Sequence, residues 1–211
     1  MKDVLWRLKD AGLDSIPGGG AEILVDRVRQ ILSPKKCTAA EWLNVMDKAH
    51  RLGIPTTATM MFGHIETIED RVEHLCRIRE QQDKTGGFQT FIPLAFHPEN
   101  TGLSHLKKPS ALLDLRTIAI SRLMLDNILH VKAFWIMQTL HMAQHMLQCG
   151  ADDIDGTVVW YDITKVSTST THQECSVIDL RRAIIDAGFT PVERDTLYRT
   201  VIRDGATWKT Q

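Results

Sequence analysis

A chain of 211 residues, 43% of them hydrophobic, is long enough to bury a sizeable core, and one α/β domain is the default at that size. Its 25 Lys and Arg against 26 Asp and Glu leave a net charge of −1, which removes any bulk electrostatic case for nucleic acid or an anionic membrane. No apolar run approaches the roughly 20 residues of a membrane span and the amino terminus carries no signal-like segment, so a cytoplasmic protein is expected, its Cys37, Cys76, Cys149 and Cys175 too scattered for a C-x-x-C site.

The chain opens with a helical pattern, Lys2 to Ala11, that sets Val4, Leu5 and Leu8 on one face and stops at Gly12. This start reads as the crossover helix of a β/α unit whose strand is not in the chain. Leu13 to Ile16 is a short strand candidate. The following Gly18, Gly19 and Gly20 allow backbone N–H groups to approach a ligand, with Glu22 placed to offer a carboxylate to hydroxyls; a plain flexible turn is the alternative. Thr38 and Glu41 form a capping box for a helix carrying Trp42, Leu43, Met46 and Ala49, ended by Gly53.

Thr56 to Met61 lacks strict alternation, which suits a parallel strand buried on both faces. Gly63, His64 and Glu66 follow at its carboxyl end, and Thr67 with Asp70 caps the next helix, whose inner face reads as Val72, Leu75 and Ile78. Phe88 to Phe96 is a second strand, with Pro93 expected to mark a bulge, and it ends in His97, Pro98, Glu99 and Asn100. Leu112, Leu115, Ala119 and Leu123 then predict a helix face turned inward, with Asp114, Arg116 and Arg122 outward. His130 to Met137 is a third strand, followed by a helix through Ala143, Met146 and Leu147. Asp152, Asp153 and Asp155 crowd together after Gly150, and they need a cation, an arginine or backbone donors, or else serve as turn and capping groups. Residues 168 to 173 read as a loop, Ser176 with Asp179 caps a further helix ended by Gly188, and Thr190 to Ile202 reads as an appendage packed on the body. Residues 203 to 211 are expected to fray.

Successive parallel strands joined by helices make an open sheet or a barrel, with ligands at the carboxyl ends of the strands. His64, Glu66, His97 and the three aspartates could serve a metal-dependent hydrolase, but no H-x-H or H-E-x-x-H is present. The glycine run with Glu22, and Gly63 with Glu66, suit a nucleoside-like ligand better.

The segments AGLDSIPGGGAEI, TATMMFGHIET, GGFQTFIPLAFHPENT, LDLRTIAISRLMLDN, GADDIDGTV and PVERDTLY together resemble the radical S-adenosylmethionine enzymes of the futalosine route to menaquinone. The resemblance is nearest to the aminodeoxyfutalosine synthases, with the dehypoxanthine futalosine cyclases second. It implies a (β/α)8 barrel of TIM type, of which residues 1–165 carry strands four to eight and residues 166–211 an α/β extension. It implies S-adenosylmethionine as cofactor, with Gly18, Gly19, Gly20 and Glu22 near its ribose and amino-acid part and Gly63 with Glu66 supporting the adenine side. His64, His97 and Asn100 would face the substrate or organise the loop beneath it, and the substrate implied is 3-[(1-carboxyvinyl)oxy]benzoate, attacked at its enol ether by a 5′-deoxyadenosyl radical. The C-x-x-x-C-x-x-C loop that binds a [4Fe-4S] cluster in that family is not in this sequence, so the chain alone is expected to be inactive and marginally stable, or to complement a separate amino-terminal barrel half. After GADDIDGTVV the sequence departs from the synthase pattern at Trp160, Tyr161, Lys165 and the Ser167 to Thr171 tract.

Overall fold

The structure is a computed structural model that describes residues 1–157 and 174–211. The helix Lys2–Asp10 (α1) is followed by Asp26–Leu32 (α2), Ala39–Arg51 (α3), the strand Thr56–Phe62 (β1), Ile68–Thr85 (α4), Phe88–Ala95 (β2), Ala111–Met124 (α5), His130–Ala133 (β3), Leu140–Gln148 (α6) and Asp153–Ile154 (β4). Val177–Asp186 (α7), Val201–Asp204 (β5) and Thr207–Thr210 (β6) complete the order. The first four strands lie side by side in the order β1-β2-β3-β4, every neighbouring pair parallel. Parallel neighbours need long crossovers, and α4, α5 and α6 supply them.

Alternate strand residues face the helices. Ala58, Met60 and Phe62 of β1 and Phe91 and Ala95 of β2 pack with Trp42, Met46, Leu75 and Ile78 in one apolar cluster. Val131 and Ala133 of β3 pack with Ile118, Ala143 and Met146 in a second. The intervening residues, Thr57, Thr59, Met61, Ile92, Leu94 and Lys132, are half-buried and belong to the opposite face of the sheet. Helix starts follow local chemistry. Thr38 with Glu41, Thr67 with Asp70 and Ser176 with Asp179 all form reciprocal capping boxes.

Several expectations are corrected. Leu13 to Ile16 forms no strand beyond a single parallel bridge, Ile16 to Thr56. The strand begun at His130 stops at Ala133, because the chain turns there, with the Trp135 and Met137 N–H groups donating to the carbonyls of Ala133 and Phe134. The bulge falls not at Pro93, which pairs in regular register with Met60, but where β1 shifts between Thr56 and Thr57. On α1 only Leu5 is buried, Val4 and Leu8 being exposed, and Val72 on α4 is exposed as well.

Helix α5 departs in part from the face predicted: Leu115 packs on the second apolar cluster and Arg116 is exposed, as expected, but the rest of the face is turned. Asp114, Thr117, Ile118 and Ser121 are buried, whereas Leu112 and Leu123 are exposed, Leu123 at 79%. Thr117 and Ser121 donate to the α5 carbonyls of Leu113 and Thr117 at 2.8 and 2.6 Å, so small hydroxyls can enter the interface without an orphaned donor. Residues 203–211 do not fray: β5 and β6 form an antiparallel hairpin whose register runs from Val201–Thr210 to Asp204–Thr207. The loop read at 168 to 173, Trp160, Tyr161, Lys165, Ser167 to Thr171, and the boundary at 165/166 lie outside the described residues.

Candidate functional site

The glycine loop lies along the outer edge of β1. Ile16 exchanges backbone bonds with Pro55 and Thr57, Gly18 N–H donates to Thr57 Oγ1 at 2.6 Å, and Thr59 Oγ1 donates back to the Gly18 carbonyl at 2.7 Å. A Cβ on Gly18 would stand 2.1 Å from the Thr57 carbonyl oxygen, so only glycine permits this approach. Gly19 and Gly20 differ: a Cβ there would meet nothing within 4 Å, and Gly20 has φ +80°. Their open backbone is a surface that a ligand can press against.

Arg29, buried on α2, holds the loop from below. Its guanidinium donates to the carbonyls of Gly20 at 3.1 Å and of Ala21, and its Nε reaches the Cys37 carbonyl at 3.0 Å. Trp42 Nε1 donates to the Gly19 carbonyl at 3.2 Å. Glu22 adopts φ +46°, its carbonyl accepts from Met61 N–H at 2.7 Å, and its carboxylate is paired with Lys36.

Met61 links this loop to the next, since its own carbonyl accepts from His64 Nε2 at 3.0 Å. In the Gly63–Glu66 turn the Glu66 carboxylate accepts from Gly63 N–H at 2.6 Å and His64 N–H at 2.8 Å, with His64 Nδ1 2.9 Å away and Arg71 at 3.3 Å. Burial pushes the Glu66 carboxyl upward, and the His64 contact with the two backbone donors outweighs it, holding the group below the usual range. Glu66 is thus the internal tie of the turn. Gly63 has φ +84°, and a Cβ there would come within 2.1 Å of Pro109 Cγ, so the loop after β2 folds back onto it.

His97, buried at the end of β2, bonds through Nε2 to the Met137 carbonyl at 2.8 Å, spanning to the loop after β3. Burial, with Lys108 adding to it, keeps its imidazole below the ordinary pKa. The His64 ring meets Phe96 edge-on at 5.9 Å. Asn100 is exposed in a left-handed backbone conformation, φ +60°.

The three aspartates are held by basic side chains, Asp153 and Asp155 sharing Lys132. Asp152 bonds Arg122 at 2.6 Å, His130 at 2.8 Å and Val131 N–H at 2.8 Å. Asp153 takes a two-pronged bond from Arg194 at 2.9 and 2.7 Å and another from Tyr198 Oη at 2.7 Å. Burial pushes the Asp153 carboxyl up, and Arg194 and Lys132 reverse the direction. Asp155 accepts from Lys132 at 3.1 Å, and burial raises its pKa. Arginines and a lysine therefore hold the charges that the spacing left open.

Sequence reasoning missed Arg29, Lys36 and Lys132. Only Lys36 stands beside a local signal, the turn residue Pro34; the other two resemble ordinary helix and strand residues. S-adenosylmethionine fits what is present, since open glycine backbone and a carboxylate lie beside β1's carboxyl end. An iron–sulfur cluster does not fit: among the described residues no three His, Cys, Asp or Glu converge, and the cysteines are separate.

Residues 85–204 match the family model for the CofH/MqnC C-terminal region, and residues 1–77 match the Radical SAM superfamily. The chain is 48% identical over 204 residues to aminodeoxyfutalosine synthase of Thermus thermophilus, covering 95% of this chain and 55% of that protein. It is 43% identical over 208 residues to a 5-amino-6-(D-ribitylamino)uracil–L-tyrosine 4-hydroxyphenyl transferase of Methanosarcina barkeri, again covering 95% and 55%. It thus spans about half the length of the curated relatives it matches. The crystal structure of methylornithine synthase (PylB) overlays with a TM-score of 0.73 at 15% identity, over 92% of this chain and 56% of that one, a likeness of fold that identifies the parallel array as part of a (β/α)8 barrel. The glycine loop, the G-x-x-E turn and the parallel array sit where these matches run, and the chain belongs to the radical SAM family that carries the CofH/MqnC C-terminal region.

Proposed function

We propose that this chain carries the carboxyl-side part of a radical S-adenosylmethionine active site of aminodeoxyfutalosine synthase type, acting on 3-[(1-carboxyvinyl)oxy]benzoate. The observation that carries the reading is the convergence of two loops on Met61: the open glycine backbone ending in Glu22 on one side, and the Gly63–Glu66 turn on the other. When bound and reductively cleaved, S-adenosylmethionine supplies a 5′-deoxyadenosyl radical for addition to the enol ether. The chain's own residues bind and orient. Gly19 and Gly20 admit the cofactor's edge, and Glu22, released from Lys36, accepts from its ribose hydroxyls. Glu66 keeps the turn after β1 rigid, and His64 and His97, each fixed to a backbone carbonyl, shape the wall on the substrate side.

The cluster has no set of ligands among the described residues, so turnover needs cysteines from outside these 211 residues. A second reading, a barrel part completed by a separate chain, is favoured by the edge of β1, which the 16–22 segment covers only in part. The test is calorimetric titration with S-adenosylmethionine. Measurable binding that weakens at least tenfold in Gly19→Val and Glu22→Ala, both with unchanged melting temperature, is the expected result. Absence of binding by the unaltered chain overturns the reading.

A further inference from the structure

The connection from β2 to α5 is folded by tight turns. Thr101 N–H donates to the Pro98 carbonyl at 3.2 Å and Leu106 N–H to the Leu103 carbonyl at 2.9 Å, which brings residues 107–110 back to the strand ends before Ser110 caps α5. Two contacts fix where this stretch lies. Pro109 packs on Gly63, just after β1, so closely that a Cβ there would stand 2.1 Å from Pro109 Cγ. Lys108 Nζ reaches the carbonyl of Met137, in the loop after β3, at 3.5 Å, and His97 Nε2, at the end of β2, bonds the same carbonyl at 2.8 Å. Lys108 and Pro109 therefore lie over the carboxyl ends of three strands.

Lys108 is poorly satisfied in this position. Its bond to the carbonyl is at the long end of the useful range, and it forms no ion pair among the described residues. The buried His97 and Asp114 both feel its charge without pairing with it. Other basic groups near these strand ends are engaged, Lys36 by Glu22, Arg71 by Glu66 and Lys132 by Asp153 and Asp155. Lys108 holds no carboxylate.

An apolar floor separates this cation from the proposed cofactor side. Met61 of β1 and Leu94 of β2 stand opposite each other in the register, both half-buried on the sheet face turned away from the helices. From Met61, where the glycine loop and the Gly63–Glu66 turn converge, to the end of β3 is two strand spacings, about 10 Å. That span accommodates one aromatic ring with a carboxylate on its far side.

We propose that Lys108 selects an anionic substrate: its ammonium leaves the Met137 carbonyl for a carboxylate of an aromatic acid whose ring lies on Met61 and Leu94. This rests on the functional reading above and adds to it the residue that recognises the acid. An ammonium on a flexible stem acts here as a point charge, so arginine can replace it and the uncharged methionine cannot.

The experiment titrates the chain at neutral pH with 3-hydroxybenzoate, with neutral 3-hydroxybenzamide and with S-adenosylmethionine. The acid is expected to bind at least about fivefold tighter than the amide. Lys108→Met abolishes that preference while leaving amide binding, S-adenosylmethionine binding and melting temperature unchanged, whereas a purely structural lysine would weaken acid and amide alike. Lys108→Arg keeps the preference, and so does Lys107→Met, which removes an exposed charge one residue away. Unchanged acid binding in Lys108→Met overturns the proposal. Equal losses in Lys107→Met and Lys108→Met overturn it too, by marking a generally basic loop, as does loss of S-adenosylmethionine binding in place of acid binding. No acid binding by a chain that still binds S-adenosylmethionine overturns the role of Lys108 and leaves the functional reading standing. Binding of neither ligand overturns both.

Discussion

His74 is completely enclosed, its Nδ1 accepting from Leu24 N–H at 2.9 Å, and burial takes its pKa down to about 3, with Arg29 and Arg77 adding to the effect. His50 lies between Thr85 and Thr56 hydroxyls at 2.6 and 2.8 Å, and burial takes it to about 4. Both are neutral in the fold and take up a proton on unfolding once the pH is below the ordinary histidine value of 6.5. Their stability contribution is therefore present above that pH and lost as pH falls towards 4. Asp114 works in the other direction. Burial raises it to about 7, so between the ordinary aspartate value of 3.8 and pH 7 the folded state holds the extra proton, and stability falls as pH rises. Two protons against one leave a net uptake of about one on unfolding between pH 6 and 5, a slope of about 1.4 kcal/mol per pH unit. Asp114→Asn is expected to raise stability at pH 8 by up to about 4 kcal/mol and to steepen the loss below pH 6 to nearly twice the slope, as read by urea unfolding across the range. None of this was visible in the sequence. A histidine on a helix and an aspartate in a first turn look the same whether enclosed or solvated, and Arg29 drew no notice because its acceptors are carbonyls of a loop.

The capping boxes at Thr38, Thr67 and Ser176 were legible because each is complete within four residues. Helix faces were less so. On α6 the inward Ala143, Met146 and Leu147 matched the apolar spacing, but on α5 that spacing placed Leu115 inward and Leu112 and Leu123 on the solvent side. The sequence ALLDLRTIAISRLM is apolar almost all round, so periodicity cannot choose a side, and the small Thr117 and Ser121, with hydroxyls returned to their own helix, fit closest to the sheet. The expected outcome is that Leu123→Ala changes unfolding free energy by less than about 0.5 kcal/mol, whereas Ile118→Ala, at the fully buried position, costs about 2–4 kcal/mol. Thermal or urea unfolding of the two variants separates them, and a large loss for Leu123→Ala would show that a partner covers this face.

At the scale of the molecule the alternation of strand and helix announced a parallel array, and it was found with every neighbouring pair parallel. The G-x-x-E and histidine positions were readable as strand-end residues, since chain order alone puts them there, whereas the glycines, expected at the end of a strand, run along the edge of β1 instead. The carboxyl-terminal hairpin was not read, although Asp204-Gly205 is a hairpin signal, because its strands are almost wholly exposed and leave no pattern of burial. The segment before it clamps the last parallel strand. Arg194 grips Asp153 with two bonds and lies 3.9 Å from the centre of the Tyr198 ring, which stacks on His130 at 4.3 Å. Arg194→Ala leaves Asp153 enclosed with Lys132 and a tyrosine hydroxyl, and is expected to lower stability by about 3 kcal/mol, seen as a drop in melting temperature that Arg194→Lys only partly restores.

The clamp on Asp153 also sets a schedule for synthesis. Asp153 and Arg194 are 41 residues apart in the chain, and the arginine comes second. At a ribosomal rate of about 5–20 residues per second, strand β4 is made several seconds before the guanidinium that neutralises it, and the tunnel holds that arginine back still longer. During this interval Lys132 of β3, 3.5 Å from Asp153, is the cation already made, so β4 meets β3 with one of its two ion pairs and gains the second only when Arg194 emerges.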